Sequence, residues 1–205
     1  MMARAQRGHM LSSIVVGVDP GFAALGLAAV DITPGVERII EASVIRTEKS
    51  HRKLDVRASD DNVRRATELS AGMCVFCSRF RPIALACEAQ SWPRNAGSSA
   101  KVGIAWGVVA AVGYRFGIPI VQVSPQQLKH AVVGKKTASK DEVIEAIERR
   151  FPAVSWPTPT SIIEHAADAV AAVIACSDSQ AIRMAIHLAR RERDQTACSP
   201  LDMDF

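Results

Sequence analysis

Short apolar segments separated by turn-forming residues place the strongest constraint on the fold of this sequence. Residues 13–18, 25–30 and 38–45 are predicted strands in direct succession, because apolar and β-branched residues fill them. Two further predicted strands, residues 83–87 and 118–123, alternate with segments of helical spacing. This order predicts an α/β fold in which an initial hairpin extends a mixed five-stranded β-sheet flanked by α-helices.

Apolar spacing and capping residues mark the helices. Residues 100–116 are apolar around nearly the whole circumference and rich in glycine and alanine, which is typical of a buried or interface helix. One continuous last helix is predicted from residue 161 to about residue 193, and the charged residues 46–61 are predicted to form a long exposed loop. The other predicted helices include residues 69–76, 125–133 and 140–150.

The composition fits one globular domain. The chain has 205 residues, of which 48% are hydrophobic and 22% charged, so it is too apolar for a disordered chain and too short for two full cores. We expect the domain to occupy residues 13–193, with flexible tails at residues 1–12 and 194–205. The net charge of +4 is too small for binding of a polyanion by bulk charge, so contacts with nucleic acid have to come from local clusters.

Cysteine usage and hydropathy bear on the compartment. The five cysteines are an odd number and the N-terminal residues lack the apolar core of a signal peptide, so we expect reduced thiols in the cytoplasm. Cys74 and Cys77 form a CxxC pair, but no second pair completes a zinc site. The longest uncharged apolar run, residues 102–114, is shorter than the roughly 20 residues that cross a bilayer, so no membrane span is predicted.

Acidic residues occur where apolar elements end. Asp19 and Glu88 each follow a predicted buried strand, and Glu164, His165 and Asp168 share one face of the last helix. Buried carboxylates are costly unless a cation compensates them, and carboxylate-rich sites select hard cations such as Mg²⁺ or Mn²⁺. Taken singly, Asp19 is a common turn former, Glu88 and Glu164 are solvated acids and His165 is a half-buried imidazole. Their joint occurrence predicts a metal site suited to phosphodiester hydrolysis.

Four segments together resemble the RuvC-type Holliday junction resolvases. These segments are IVVGVDPGFAALGLAAVD, IALACEAQ, GVVAAVGYRFGIPIVQVSPQQLKHAVVGKKTASKDEV and EHAADAVAAVIA. The resemblance covers roughly residues 13–176. It implies an RNase H-like fold and a homodimeric crossover junction endodeoxyribonuclease. Such an enzyme nicks four-way DNA junctions symmetrically in DNA recombination and repair, and it leaves 5′-phosphate and 3′-hydroxyl ends.

The resemblance also assigns the site residues by position. Asp19, Glu88 and Asp168 match the metal-binding acids of the family, and His165 stands where members have Asp or His. The four residues are therefore implied to be both catalytic and metal-binding. The implied cofactor is Mg²⁺, with Mn²⁺ able to substitute and two ions in each subunit. Whether Glu164 joins this site is left open.

A lysine-rich stretch without acids is the candidate DNA-binding surface. Lys129 and Lys140 match lysines that the family uses near the scissile phosphate, whereas Lys135 and Lys136 are added on charge alone. Trp92 lies beside the position of a family aromatic residue, so it either stacks on bases or anchors the loop against the domain. Arg64 and Arg65 belong to a charged stretch that we interpret as a solvated loop. A branch-migration motor is left open as a further partner.

Three other functions are weighed against this one. A resolvase-like nuclease with relaxed specificity would act on flaps, forks and other branched DNA, and a non-catalytic protein would bind junctions without nicking them. Sugar kinases and actin-like ATPases begin with a similar strand and glycine turn, but they repeat that unit in two lobes, for which 205 residues are too few.

Overall fold

The computed structural model describes residues 13–51, 55–89 and 95–197 and contains the predicted mixed sheet. The strands are β1 (Ile14–Asp19), β2 (Ala24–Asp31), β3 (Arg38–Arg46), β4 (Ala84–Glu88) and β5 (Ile120–Val123). They lie in the order β3-β2-β1-β4-β5, with antiparallel β3, β2 and β1 and parallel β1, β4 and β5. The initial hairpin is therefore part of a mixed five-stranded sheet, as predicted.

Helices cover both faces of the sheet. They are α1 (Ala58–Phe80), α2 (Ala96–Phe116), α3 (Pro125–Val133), α4 (Lys140–Arg150), α5 (Ile163–Cys176) and α6 (Gln180–Ala197). One hydrophobic core joins α1 and α2 to one face of the sheet, and a second joins α3, α4, α5 and the start of α6 to the other face. The charged loop predicted over residues 46–61 is wrong at its end, since α1 begins at Ala58.

The prediction of one continuous last helix is wrong. The chain bends by 85° between α5 and α6. The side chain of Ser179 accepts a hydrogen bond from the backbone N–H of Ile182, which gives α6 its own N-cap. Apolar residues continue on both sides of this break, so periodicity alone favoured one helix.

Two strand glycines allow α5 to lie directly on the sheet. A Cβ atom at Gly17 of β1 would come within 1.8 Å of the Ala169 carbonyl oxygen. A Cβ atom at Gly26 of β2 would come within 2.0 Å of the His165 carbonyl oxygen. The backbone of α5 therefore occupies the space that strand side chains would fill, and its first turns are fixed against the ends of β1 and β2.

Among the residues that the structure describes, α2 buries one face. Ala105, Val109 and Val112 pack in the core, whereas a Cβ atom at Gly103 or Gly107 would meet nothing within 4 Å. By length and mean hydropathy α2 resembles a membrane span, and 28% of its most apolar window is buried in the chain. A helix that packs in a core or an interface has the same length and composition, so these features alone do not predict a span.

Candidate active site

The carboxyl ends of two neighbouring parallel strands carry the first two acids. Val18 of β1 is in register with Cys87 of β4, so the next residues, Asp19 and Glu88, lie side by side at the carboxyl ends of the two strands. The first turns of α5 bring His165 and Asp168 to the same edge. A cavity of about 390 Å³ opens there, and its polar lining comes from Asp19, Glu88, Lys129, Lys140, His165 and Asp168. The four predicted metal-site residues are therefore brought together by three elements.

His165 is tied to Asp19 by a direct hydrogen bond. Its Nδ1 lies 2.7 Å from Oδ2 of Asp19, and because a carboxylate oxygen only accepts, Nδ1 carries the proton. This bond raises the pKa of His165, against the opposing effect of burial. Nε2 is then the ring nitrogen that can face a cation, and it lies 3.9 Å from Oε1 of Glu164.

The remaining two acids are held in an environment that disfavours their charge. Burial raises the pKa of Glu88 to about 7, with further contributions from the charges of Asp168 and Asp19. Burial also raises the pKa of Asp168 to about 6, and the charge of Asp19 adds to this shift. Half-buried carboxylates that repel one another are stabilised by a cation placed among them.

The donor set fits a hard divalent cation. Carboxylate oxygens and one imidazole favour Mg²⁺ or Mn²⁺, and no cysteine in the described part of the chain lines the cavity. Within the described ranges, no three His, Cys, Asp or Glu side chains already form a compact ligand cluster. Water and phosphate oxygens would therefore have to complete the coordination, which is usual for Mg²⁺ sites.

The structure separates the predicted lysines into two pairs. Lys129 and Lys140 line the cavity, and Nζ of Lys140 lies 2.5 Å from Oε2 of Glu164, which raises the pKa of Lys140. Lys135 instead binds Glu142 of α4 at 3.0 Å. Lys136 is exposed and does not line the cavity. Glu164, whose role the sequence left open, is thus the partner of Lys140 at the rim. Trp92 lies outside the described residues.

Sequence reasoning missed the residues that support the site from behind. Gly26 allows α5 to approach Asp19, and the sequence signal for it is a glycine inside an apolar strand. Arg65 was interpreted as part of a solvated loop, which is wrong, because it lies in α1 and its exposed fraction is 3%. The sequence signal for its burial is spacing, since Arg65 precedes Leu69 by four residues and Met73 by eight, which places it on the apolar face of the helix.

We expect the metal-free protein to lose stability as the pH rises from about 4.5 to about 7. The raised pKa values of Glu88 and Asp168 mean that the folded state binds more protons than the unfolded state in this window, so ionisation on raising the pH disfavours folding. A divalent cation removes this penalty. Thermal unfolding should therefore show a larger increase in Tm on adding Mg²⁺ at about pH 8 than at about pH 5. Equal increases in Tm at both pH values would contradict the prediction that Mg²⁺ binds beside the ionised Glu88 and Asp168.

Comparison with known proteins identifies the family. The model of the family "Crossover junction endodeoxyribonuclease RuvC" matches residues 15–176. The proteins of that name from Synechococcus sp. (strain CC9605) and Parasynechococcus marenigrum (strain WH8102) are each 32% identical over 160 residues, which cover 78% of this chain and 95% of each relative.

Solved structures agree with the sequence comparison. Thermus thermophilus RuvC is similar with a TM-score of 0.64 and 28% identity, over 85% of this chain and 96% of that one. The same protein solved in complex with a Holliday junction substrate gives a TM-score of 0.65 at 26% identity. The yeast mitochondrial Holliday junction resolvase Ydc2, 13% identical with a TM-score of 0.54, shares the fold. The predicted RNase H-like fold is confirmed, and this chain belongs to the RuvC family of crossover junction endodeoxyribonucleases.

Proposed function

We propose that this chain is a Holliday junction resolvase that cleaves four-way DNA junctions at the cavity lined by Asp19, Glu88, His165 and Asp168. The observation that carries the proposal is the meeting of three carboxylates and an imidazole with two lysines at one sheet edge. Membership of the RuvC family, and the Thermus thermophilus relative solved with a Holliday junction substrate, support the choice of DNA. The domain that carries this activity is proposed to be residues 13–193.

The proposed cofactor is Mg²⁺, with Mn²⁺ able to substitute and two ions in each subunit. Asp19, Glu88, His165 and Asp168 would hold the ions through three carboxylates and the Nε2 face of the imidazole. Bound divalent ions supply an activated water and stabilise the charge of the leaving oxygen in phosphodiester hydrolysis. The raised pKa of Glu88, about 7, indicates that this carboxylate gains most from a neighbouring positive charge.

The lysines of the cavity would bind and orient the phosphate. Lys129 and Lys140 line the same cavity as the strand-end acids, where their ammonium groups can contact non-bridging phosphate oxygens. Glu164 holds Lys140 in place at the rim through their hydrogen bond. The exposed Lys135 and Lys136 are proposed to contact the DNA backbone farther from the cut.

A homodimer would place two such sites on one junction. The exposed face of α2 offers Gly103, Gly107 and the 92% exposed Tyr114, and small residues there would allow a second copy to approach closely. Two sites related by a twofold axis would produce two symmetric nicks. The base-stacking role of Trp92, a branch-migration motor as partner and a cytoplasmic location stay predictions.

The test is cleavage of a synthetic four-way junction in Mg²⁺ and in Mn²⁺, compared with a flap, a fork and linear duplex of the same sequence. We expect paired nicks with 5′-phosphate ends in the junction, dependence on the metal, and little cleavage of linear duplex. Equal cleavage of flaps and junctions would indicate a nuclease of relaxed specificity. Tight junction binding without nicking in either metal would overturn the proposal in favour of a non-catalytic binding protein.

A further inference from the structure

We propose that Arg65 is a positioning residue for the active site, which holds the turn after β1 and thereby fixes the carboxylate of Asp19. This inference rests on the proposed function for its meaning in catalysis. The geometry behind it involves Arg65 of α1, Thr47 after β3 and Phe22 in the β1–β2 turn. None of these three residues lines the cavity itself.

The guanidinium of Arg65 is buried against the turn between β1 and β2. Its exposed fraction is 3%, and its guanidinium carbon lies 4.3 Å from the centroid of the Phe22 ring. Nε donates to Oγ1 of Thr47 at 2.9 Å, and Nη2 lies 3.4 Å from the carbonyl oxygen of Phe22. The hydroxyl of Thr47 in turn donates to that same carbonyl oxygen at 2.7 Å. Arg65 therefore acts on Phe22 directly and through Thr47.

Burial of the Arg65 guanidinium without an acidic partner in the described ranges lowers the stability of the folded protein. Arginine stays charged at every physiological pH, and burial of a charge is expensive unless a partner compensates it. Among the described residues, no carboxylate lies within ion-pairing distance of Arg65. The neighbouring Arg64, by contrast, pairs with Asp61 and Glu68. The guanidinium of Arg65 is compensated by a hydroxyl, two carbonyl groups and an aromatic face, all at or beside the turn.

The turn transmits this constraint to Asp19. Thr47 is also bound to the turn through its backbone, since its N–H donates to the Ala23 carbonyl oxygen at 2.9 Å. The backbone N–H of Gly21 donates to the carbonyl oxygen of Asp19 itself, again at 2.9 Å. Asp19 is thus held on its strand side by β2 and on its turn side by the segment that Arg65 and Thr47 fix. Its carboxylate meets His165 from this position.

The proposal is tested with Arg65→Met, which keeps an unbranched side chain and removes the charge and the donors. Met73→Ala is the matched control, because Met73 is fully buried two turns farther along α1, so its truncation destabilises the core but removes none of the hydrogen bonds that Arg65 and Thr47 make to the turn. Mn²⁺ affinity is measured by electron paramagnetic resonance, and the single-turnover rate and junction affinity are measured separately. We expect Arg65→Met to weaken Mn²⁺ binding and slow cleavage by about 10- to 100-fold with unchanged junction affinity.

Further variants keep the inference falsifiable. Thr47→Val removes only the hydroxyl that links Arg65 to Phe22, so it should weaken Mn²⁺ binding in the same direction, and it decides the matter if Arg65→Met does not fold. Arg65→Lys should restore part of the Mn²⁺ affinity. The inference would be overturned if Arg65→Met lowered the Tm as Met73→Ala does and left Mn²⁺ affinity and cleavage rate unchanged. It would also be overturned if Arg65→Met lowered junction affinity as much as it lowered the cleavage rate. If the wild type cleaves no branched DNA, the proposed function fails, while the Mn²⁺ measurement still decides the role of Arg65.

Discussion

Replacement of Asp19 by Asn is expected to abolish junction cleavage while the fold and junction binding persist. The amide has the shape of the carboxylate but no charge, so the site loses one of its three acids together with the anion that holds His165. Loss of a ligand that stabilises transition-state charge costs several kcal/mol, so the single-turnover rate should fall on the order of 10³-fold or more. Junction affinity, measured in Ca²⁺, should be equal or tighter, because a negative charge is removed from a surface that faces phosphate.

Asp178→Asn is the matched control for this experiment. It makes the same chemical change at an exposed acid between α5 and α6, at the far end of α5 from the cavity, and it should cleave at the wild-type rate. Glu88→Gln should behave as Asp19→Asn does. If Asp19→Asn cleaved junctions at the wild-type rate, the cavity at this sheet edge would not be the catalytic site.

The order of the strands along the chain and the acids that line the cavity could be predicted because their signals are local. β-branched runs define strands, and an acid at the end of such a run is visible without knowledge of the fold. Asp19 and Glu88 were found in this way, and the spacing of His165 and Asp168 placed both on one face of a helix. The convergence of these four side chains then follows from the parallel pairing of β1 with β4 and the packing of α5 across them.

What could not be predicted depends on contacts between distant segments. The partners of the Arg65 guanidinium, Thr47 and Phe22, are brought to it only by tertiary packing. Charge alone could not separate Lys140, which lines the cavity, from Lys135, which binds Glu142, because the distinction depends on how α4 is oriented after the α3–α4 turn. The break before α6 depends on a serine cap within a continuing apolar pattern.

Gly26→Ala is expected to separate the effect of site geometry from that of site chemistry. The added methyl group would lie 2.0 Å from the carbonyl oxygen of His165 and 3.2 Å from Cβ of Asp19, so α5 has to move away from β2. Overpacking of this kind destabilises a core by about 1–3 kcal/mol. The displacement acts directly on the pair formed by Asp19 and His165, and a misplacement of about 1 Å can cost about 10²-fold in rate.

Gly72→Ala provides the comparison that makes this result specific. Its Cβ atom would meet the side chain of Ile45, with Cδ1 at 2.6 Å, Cγ1 at 3.2 Å and Cγ2 at 3.4 Å, and it would meet no backbone atom at these distances. Alanine is favoured over glycine within a helix such as α1 by about 0.5–1 kcal/mol. Denaturant unfolding, Mn²⁺ affinity and single-turnover cleavage are measured for both variants. Gly26→Ala should lower the free energy of unfolding, the Mn²⁺ affinity and the cleavage rate. Gly72→Ala should keep the wild-type Mn²⁺ affinity and cleavage rate. Wild-type cleavage by Gly26→Ala would mean that close packing of α5 on β2 does not set the geometry of the site, because the methyl group fits only if the distance between β2 and the His165 backbone increases.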